Sequence, residues 1–573
     1  MCFDCYHCVA ACPHEAFTHK NAAPAQCLPI REEWRTRMNK PLLLLLALTA
    51  VASARPPLIV TGWDSPSPAQ YRQHLAEFER WGVFDGTTIR PTRRMANGRD
   101  VDSRFTFSRE PWRWEEFAGA LADLRAAKPT TCRETFLMLY ANPGNVDWFD
   151  DTAWREVVDH WRLLARLAKQ GGLRGLLYDA EPYVKPHAQF RYGAQAQAAK
   201  HTFAEYQSKA RERGREVMRA LAAEFPEATI FTYRLFSDLL PLLDAGDLNR
   251  ALEPDTYGLQ PAFVDGWMDA APATITIIEG TEDIGYRANS PAEYNAAFTR
   301  QRLRLAEFLS PEHREKFARQ LRIGQSLYLD AHVNPPGHAW TIDRTDSTPA
   351  RRLAANLAAA LAASDGLVWL YGEQARWWPG GDAKSQTWAQ KLPGAVTAIR
   401  RAKDPAAFVR SLFEGQRART NLLANADFAR TDGKAPAGWF TWQDDDSHGT
   451  FACTNGCAII RGAKQAVVGM GVKTEPSAVL AVRLRVKTTG RGLAALSIGW
   501  KTADGKWTAH ARNARFVPSA PPAADGWQEI HGLVEVPAGA GQLMFMAAAS
   551  GQAGESDACS FKTALLTPVL TDE

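Results

Sequence analysis

Charge of one sign is what this chain most conspicuously lacks. Lys and Arg number 67 against 63 Asp and Glu, a formal net charge of +4 over 573 residues, which is too small to imply nucleic acid or an anionic membrane as a partner. Cysteine is sparse after residue 54, where only Cys132, Cys453, Cys457 and Cys559 remain, so no disulfide framework holds the fold. Cys453 and Cys457 enclose a short turn that suits either a local disulfide or a reduced pair. Beyond that point no apolar run approaches the roughly 20 residues of a membrane-spanning helix. There is no Walker loop, no G-x-S-x-G elbow and no H-E-x-x-H, because His14-Glu15 is followed by His19, one residue too far. These absences disfavour phosphoryl transfer, serine hydrolysis and zincin chemistry. What is present is a foldable composition, 46% hydrophobic and 23% charged, with 19 Trp, and broad flat aromatics in such number are a mild pointer to sugar-binding surfaces.

The first 54 residues hold two signals that conflict. Residues 38–54, MNKPLLLLLALTAVASA, carry an early Lys, an apolar run and a small-residue cleavage site at Ala52-Ser53-Ala54. That is the pattern of a secretory signal peptide, and it implies a secreted or periplasmic product with no membrane attachment after cleavage. Upstream, Cys2, Cys5, Cys8 and Cys12 followed by Pro13 have the C-x2-C-x2-C-x3-C-P spacing of bacterial iron–sulfur ligation. Residues 1–30 resemble a fragment of a bacterial 4Fe-4S ferredoxin-type domain, and that resemblance implies a 4Fe-4S cluster on these cysteines if the segment is genuine. Only half of such a fold is present. Clusters are assembled in the cytoplasm, whereas a signal peptide exports an unfolded chain, so our reading starts translation at Met38 and takes residues 1–37 as an extension. The alternative is a cluster-binding, redox-linked protein.

From residue 58 to about 400, short apolar runs alternate with polar loops and amphipathic helices. The runs are Leu58–Thr61, Gly86–Arg90, Phe136–Tyr140, Leu173–Tyr178, Thr229–Tyr233, Thr274–Ile278, Ile323–Leu329 and Gly366–Tyr371. Continuous hydrophobicity with polar residues at the end suits parallel strands buried on both faces. Ser67-Pro68-Ala69-Gln70 and Ser290-Pro291-Ala292-Glu293 read as helix N-termini, and Asp151 as the cap of a helix ending at Gly171-Gly172. Eight such units predict an α/β fold, a (β/α)8 TIM-like barrel over 55–400, since no G-x-G-x-x-G follows the first strand to favour an open doubly wound sheet. A linker helix over 401–420 follows. Period-two alternation after Asn421, as in Val482-Arg483-Leu484-Arg485-Val486-Lys487, predicts an all-β sandwich over 421–573.

In such a barrel, chemistry sits at the carboxyl ends of the strands. The residues there are acidic: Asp64, Asp179, Glu181, Glu279, Asp330 and Glu373, with Arg90 ending the second run. Converging carboxyls raise one another's pKa, so that one stays protonated as a general acid while another is ionised, which is what glycoside cleavage requires. The strongest local signal is Gly175–Tyr183, with Asp179 and Glu181 two residues apart. Trp63, Tyr183, Trp377 and Trp378 fall just past strand ends, where rings can stack on sugars.

Gly62-Trp63-Asp64-Ser65-Pro66-Ser67-Pro68, Phe84-Asp85-Gly86, Asn142–Asp150, Tyr178–Tyr183 and Tyr257–Phe263 together resemble a group of secreted bacterial glycoside-hydrolase-like barrel proteins, which implies a polysaccharide-related role. Asp179-Ala180-Glu181 is also similar to the end of the chitinase-family motif, but the aspartates that precede it in that motif are absent. Asn421–Phe428 with Pro436-Ala437-Gly438-Trp439 resembles the opening of carbohydrate-binding jelly-roll modules, which makes Trp439 and Trp442 candidate platforms. The expectation is a glycoside hydrolase with Glu181 as general acid/base, Asp179 as its modulator and Glu279 as second carboxylate. Asp64, Trp63, Arg90, Tyr183, Asp330, Glu373, Trp377 and Trp378 would line the substrate site, and the barrel needs no cofactor. The rival is a non-catalytic glycan-binding or scaffold protein whose strand-end acids are tied up in salt bridges.

Overall fold

The computed structural model describes residues 55–343, 347–380, 385–414, 420–475, 478–508 and 513–569. Residues 38–54, expected to be a signal peptide, and Cys2, Cys5, Cys8 and Cys12 lie outside the described residues. All eight predicted runs form strands, because each is a mostly aliphatic or β-branched stretch whose few polar side chains sit at the strand ends or in short breaks, as at Asp179, Glu279 and Arg322. They are β1 (Leu58–Gly62), β2 (Gly86–Ile89), β3 (Phe136–Pro143), β4 (Gly175–Asp179), β5 (Thr229–Thr232), β6 (Thr276–Glu279), β7 (Leu321–Ile323) continued by β8 (Gln325–Tyr328), and β9 (Val368–Gly372). Neighbours pair in parallel from β1 through β2, β3, β4, β5 and β6 to β7, while β8 pairs with β9 and β9 with β1. The result is a nearly closed barrel of parallel strands.

Gly324 makes the handover between β7 and β8. Its N–H donates to the Glu279 carbonyl at 2.7 Å, and the next residue, Gln325, donates to the Leu367 carbonyl at 3.0 Å. A Cβ at position 324 would stand 2.9 Å from that Leu367 oxygen, so the chain can change partners here only where a side chain is missing.

The strands divide their side chains between two cores with period two. Ile59, Met138, Leu177, Phe231, Ile278 and Trp369 fill the barrel interior. Leu58, Leu137, Leu176, Ile230, Ile277 and Leu370 face the surrounding helices. The helix Asp151–Gln170 supplies Trp154, Val157, Trp161, Leu164 and Ala168 to that outer layer, the 3-and-4 spacing of an amphipathic stripe. Its cap is Asp150, whose side chain accepts from Thr152 and Ala153 N–H; Asp151 is already helical and pairs with Arg213. Ser67 and Gln70 form the reciprocal capping box, whereas Glu293 takes the N–H of Asn289 in place of that of Ser290.

The predicted single helix after the barrel is two, Ala395–Lys403 and Pro405–Glu414, separated at Asp404 because the residue before a proline avoids helical backbone. Two five-stranded antiparallel sheets follow. One orders Phe440–Gln443, Gln465–Lys473, Gln542–Ser550, Leu493–Lys501 and Ala514–Phe516; the other orders Thr450–Thr454, Cys457–Arg461, Ala558–Pro568, Val479–Thr489 and Gln528–Glu535. Their facing sides enclose Trp500, Phe545, Leu484 and Phe561. Asn421 and Asn425, the first polar residues of the module-like opening, stitch backbone: Asn421 accepts from Leu423 and Leu566 N–H, and Asn425 bonds Arg430 and Ala437. Phe408, Val409 and Leu412 of the second helix pack on Ala481 and Leu533 of the second sheet.

Candidate functional site

Strand parity decides which strand-end residues enter the barrel mouth. On β4, Leu177 is interior, so Asp179 is as well. It is buried, its Oδ1 accepts the Glu181 N–H at 2.8 Å, and its Oδ2 accepts the Tyr183 hydroxyl at 2.6 Å. The same hydroxyl lies 3.0 Å from Glu181 Oε2. Asn142, ending β3, holds this turn from the side: its carboxamide nitrogen donates to the Glu181 carbonyl at 2.7 Å and its oxygen accepts the Tyr183 N–H at 2.9 Å. Burial, then the neighbouring Glu181 charge, push the Asp179 carboxyl up to about 6.

On β9, Trp369 and Tyr371 are interior, so Glu373 follows them into the mouth. It is exposed, stands beside the Tyr328 and Tyr371 hydroxyls, and feels the Glu181 charge. Burial and the Asp330 charge raise its carboxyl above the usual range. Asp330 itself is buried and accepts the N–H groups of Glu373 and Gln374 at 2.9 and 3.0 Å, so it fixes the segment that carries Glu373. Trp63 is 71% exposed at the rim. A groove of about 330 Å³ runs beside the mouth, lined by Trp63, Arg90, Glu373 and Arg376 among others. Among the described residues Arg90 makes no ion pair with an acid; its Nε donates to the Ser65 carbonyl at 2.7 Å.

Two strand-end candidates, Glu279 and Asp64, fall on the other parity, and two tryptophans lie in the core. Ile277 and Glu279 both face the outer layer, and Glu279 is fully buried, with one oxygen accepting from Leu235, Phe236 and Ser237 N–H and the other from Thr281 N–H. It folds the loops after β5 and β6 and does not stand in the mouth as a second carboxylate. Asp64 accepts the N–H groups of Trp377 and Trp378 at 2.6 and 2.9 Å, clipping that loop to the end of β1. Trp377 and Trp378 are core residues, not platforms: Trp378 stacks on Phe78 with centroids 4.1 Å apart, and Trp377 meets Trp81 and Phe84 edge-on.

The mouth also contains groups the sequence analysis passed over. Arg234, directly after β5, reaches Glu282 at 2.8 Å, Asp238 at 2.8 Å, and Glu181 and Asp283 at 3.6 Å. Burial pushes Glu282 up to about 8 although the guanidinium pulls the other way. Glu282 is aimed inward by Thr281, a buried residue at φ 58, a left-handed conformation that is costly for a β-branched side chain. The strain is held by Thr281 hydrogen bonds to Gln301 and the Gly324 carbonyl and by Ser326, which donates to the Thr281 and Glu282 carbonyls. Arg234 is the polar residue ending the fifth run, so the strand-end rule applied there would have found it.

In the sandwich, Trp439 is core, edge-on to Phe428 with centroids 4.9 Å apart. Trp442 is 47% exposed and sits on the outer side of the first sheet opposite Val467. Phe440, two residues earlier, lies over Gly469, and Trp507 over Gly499. Met546 and Ala548 complete the floor between them. Cys453 and Cys457 are both free.

Among the described residues no cluster of three His, Cys, Asp or Glu could hold a metal, and no helix is long and apolar enough to cross a membrane. No family model and no curated protein matches the chain. Solved structures similar to part of it include the enzymatically active domain of tailspike protein 4 of bacteriophage CBA120, at 14% identity over 26% of this chain and 21% of that one, TM-score 0.20. Another is a CBM4 protein, at 15% identity over 26% of this chain and 99% of that one, TM-score 0.20. A third is TmCBM61 in complex with β-1,4-galactotriose, at 12% identity over 26% and 99%, TM-score 0.19.

Proposed function

We propose that this is an exported glycan-active protein whose TIM-like barrel hydrolyses glycosidic bonds. The observation that carries the reading is the trio Asp179, Tyr183 and Glu181 at the end of β4, facing Glu373 and Glu282 across one opening with the exposed indole of Trp63 at its rim. Glu181 is the general acid/base. Asp179, buried and hydrogen-bonded to the Glu181 backbone, orients and polarises it. Glu373, exposed and beside two phenols, takes the role expected of Glu279, as nucleophile or as activator of water. Glu282 stays beside Arg234, with its carboxyl raised to about 8 by burial. Residues 38–54 support export, and no cofactor is invoked for the barrel.

A second reading, glycan binding without turnover, is favoured by the aromatic row Phe440, Trp442 and Trp507 on the sandwich, where rings stand over a glycine floor as stacking platforms do. A panel of soluble polysaccharides, followed by reducing-end release, tests the choice: turnover by the wild-type chain that Glu181→Gln abolishes while retention on the same glycan persists identifies an enzyme. Retention with no reducing ends released by either chain identifies a binder.

A further inference from the structure

Tyr183 is half exposed, yet its hydroxyl is fixed between two carboxyls, 2.6 Å from Asp179 Oδ2 and 3.0 Å from Glu181 Oε2. A phenol has one hydrogen and an ionised carboxylate only accepts. A single phenolic hydrogen forked between two ionised carboxylates would leave both bonds weak and two like charges on one hydroxyl; two full hydrogen bonds form when one carboxyl carries a proton and donates it to the Tyr183 oxygen, while Tyr183 donates its own hydrogen to the other. The ring cannot swing away at no cost, because Asn142 grips the backbone at Glu181 and Tyr183 and the Tyr140 ring lies against it at 5.8 Å.

We propose that Tyr183 is a positioning residue through which Asp179 and Glu181 hold a single proton in common. The inference rests on the glycosidase reading for its use, but not for its existence. The trio has two hydrogen placements. In one, Glu181 is the acid, its proton on the Tyr183 oxygen and the Tyr183 hydrogen on Asp179. In the other, Asp179 is the acid: the Glu181 proton has passed to the Tyr183 oxygen and the former Tyr183 hydrogen to Asp179, so that Asp179 now donates to Tyr183 and Tyr183 to Glu181. No phenolate forms, in keeping with the burial and acid charges that push the Tyr183 hydroxyl far above its usual range. In the reaction, the Glu181 O–H bond breaks as the leaving-group O–H bond forms, and the proton returns when Glu181 deprotonates the incoming water.

Other groups facing the trio set when it holds its proton. Arg234 at 3.6 Å from Glu181 favours ionisation; the charges of Asp238 and Glu373 oppose it, joined by Glu282 only once it ionises, above about pH 8; Tyr140, Tyr233 and Tyr257 are neutral hydroxyls. Asp179, raised to about 6, places the common proton within reach of neutral pH.

The test is a carboxyl ¹³C titration of the full chain labelled at Asp and Glu side chains, with the two resonances assigned from Asp179→Asn and Glu181→Gln. A common proton makes both carbons shift through the same midpoint in the wild type. In Tyr183→Phe the Glu181 carbon should leave that step and Asp179 should titrate alone. Independent midpoints in the wild type, or a Tyr183→Phe titration identical to it, overturn the proposal. Asp179→Asn, which keeps the turn's shape, must also remove the shared step. A clean shared step in a chain that cleaves no glycan would sink the glycosidase reading and leave the common proton standing.

Discussion

The barrel mouth and the outer side of the first sandwich sheet are built from opposite materials. The mouth collects carboxyls, phenols and the Arg234 guanidinium, with Asp179, Glu282 and Glu373 all displaced from their usual titration range. The sheet offers Phe440, Trp442, Trp507 and Met546 over glycine and alanine. Groups whose protonation is tuned can break bonds, whereas rings over a flat floor can only hold a ligand by area and stacking. The two regions should therefore respond to different perturbations.

The contrast breaks most sharply at Glu181. Glu181→Gln is expected to lower turnover by about 10²–10⁴-fold and leave glycan retention unchanged; steady-state rates beside affinity electrophoresis would show it, and a parallel loss of both would erase the distinction. Next comes the pair of tryptophans that the sequence treated alike. Trp378→Ala should cost about 3–5 kcal/mol of stability, as expected for a buried ring, while Trp63→Ala should stay within about 0.5 kcal/mol; denaturant unfolding compares them.

Asp179→Asn probes the mouth through pH. Folding raises this carboxyl from 3.8 to about 6, so its contribution to stability is present below pH 3.8 and is lost as pH rises through 6. The variant should match the wild type near pH 3.5 and exceed it at pH 8 by about 1–3 kcal/mol, the range set by 1.36 kcal/mol per unit and partial relaxation. Melting temperatures at the two pH values decide it, and a pH-independent difference would refute it. The smallest effect is expected on the sandwich, where Trp442→Ala or Trp507→Ala should weaken glycan retention about tenfold, near 1.4 kcal/mol, with turnover on a short soluble substrate unaffected.

The strands were legible because continuous apolar runs admit few other fates, and Asp179 and Glu181 because two acids end such a run. Side-chain direction was the missing step. Glu279 and Glu373 both end barrel strands, but counting back by twos from the interior Ile278 and Trp369 sends the first outward and the second inward. The same count separates Trp63 from Asp64. Arg234 and Glu282 were missed for different reasons: the first ends the fifth run, where the strand-end rule went unapplied, and the second depends on the backbone of Thr281, which no residue pattern announces. The resemblance at Asn421–Phe428 was read for binding, whereas Asn421 and Asn425 tie the sandwich's own chain together.

The helix Pro405–Glu414 lays Phe408, Val409 and Leu412 on the second sheet. As a matter of dissection, the natural cut lies before Asp404 rather than at Asn421. A fragment starting at Asn421 would bare Ala481 and Leu533 and tend to self-associate, and a protease nick just after Glu414 would leave the two pieces adhering.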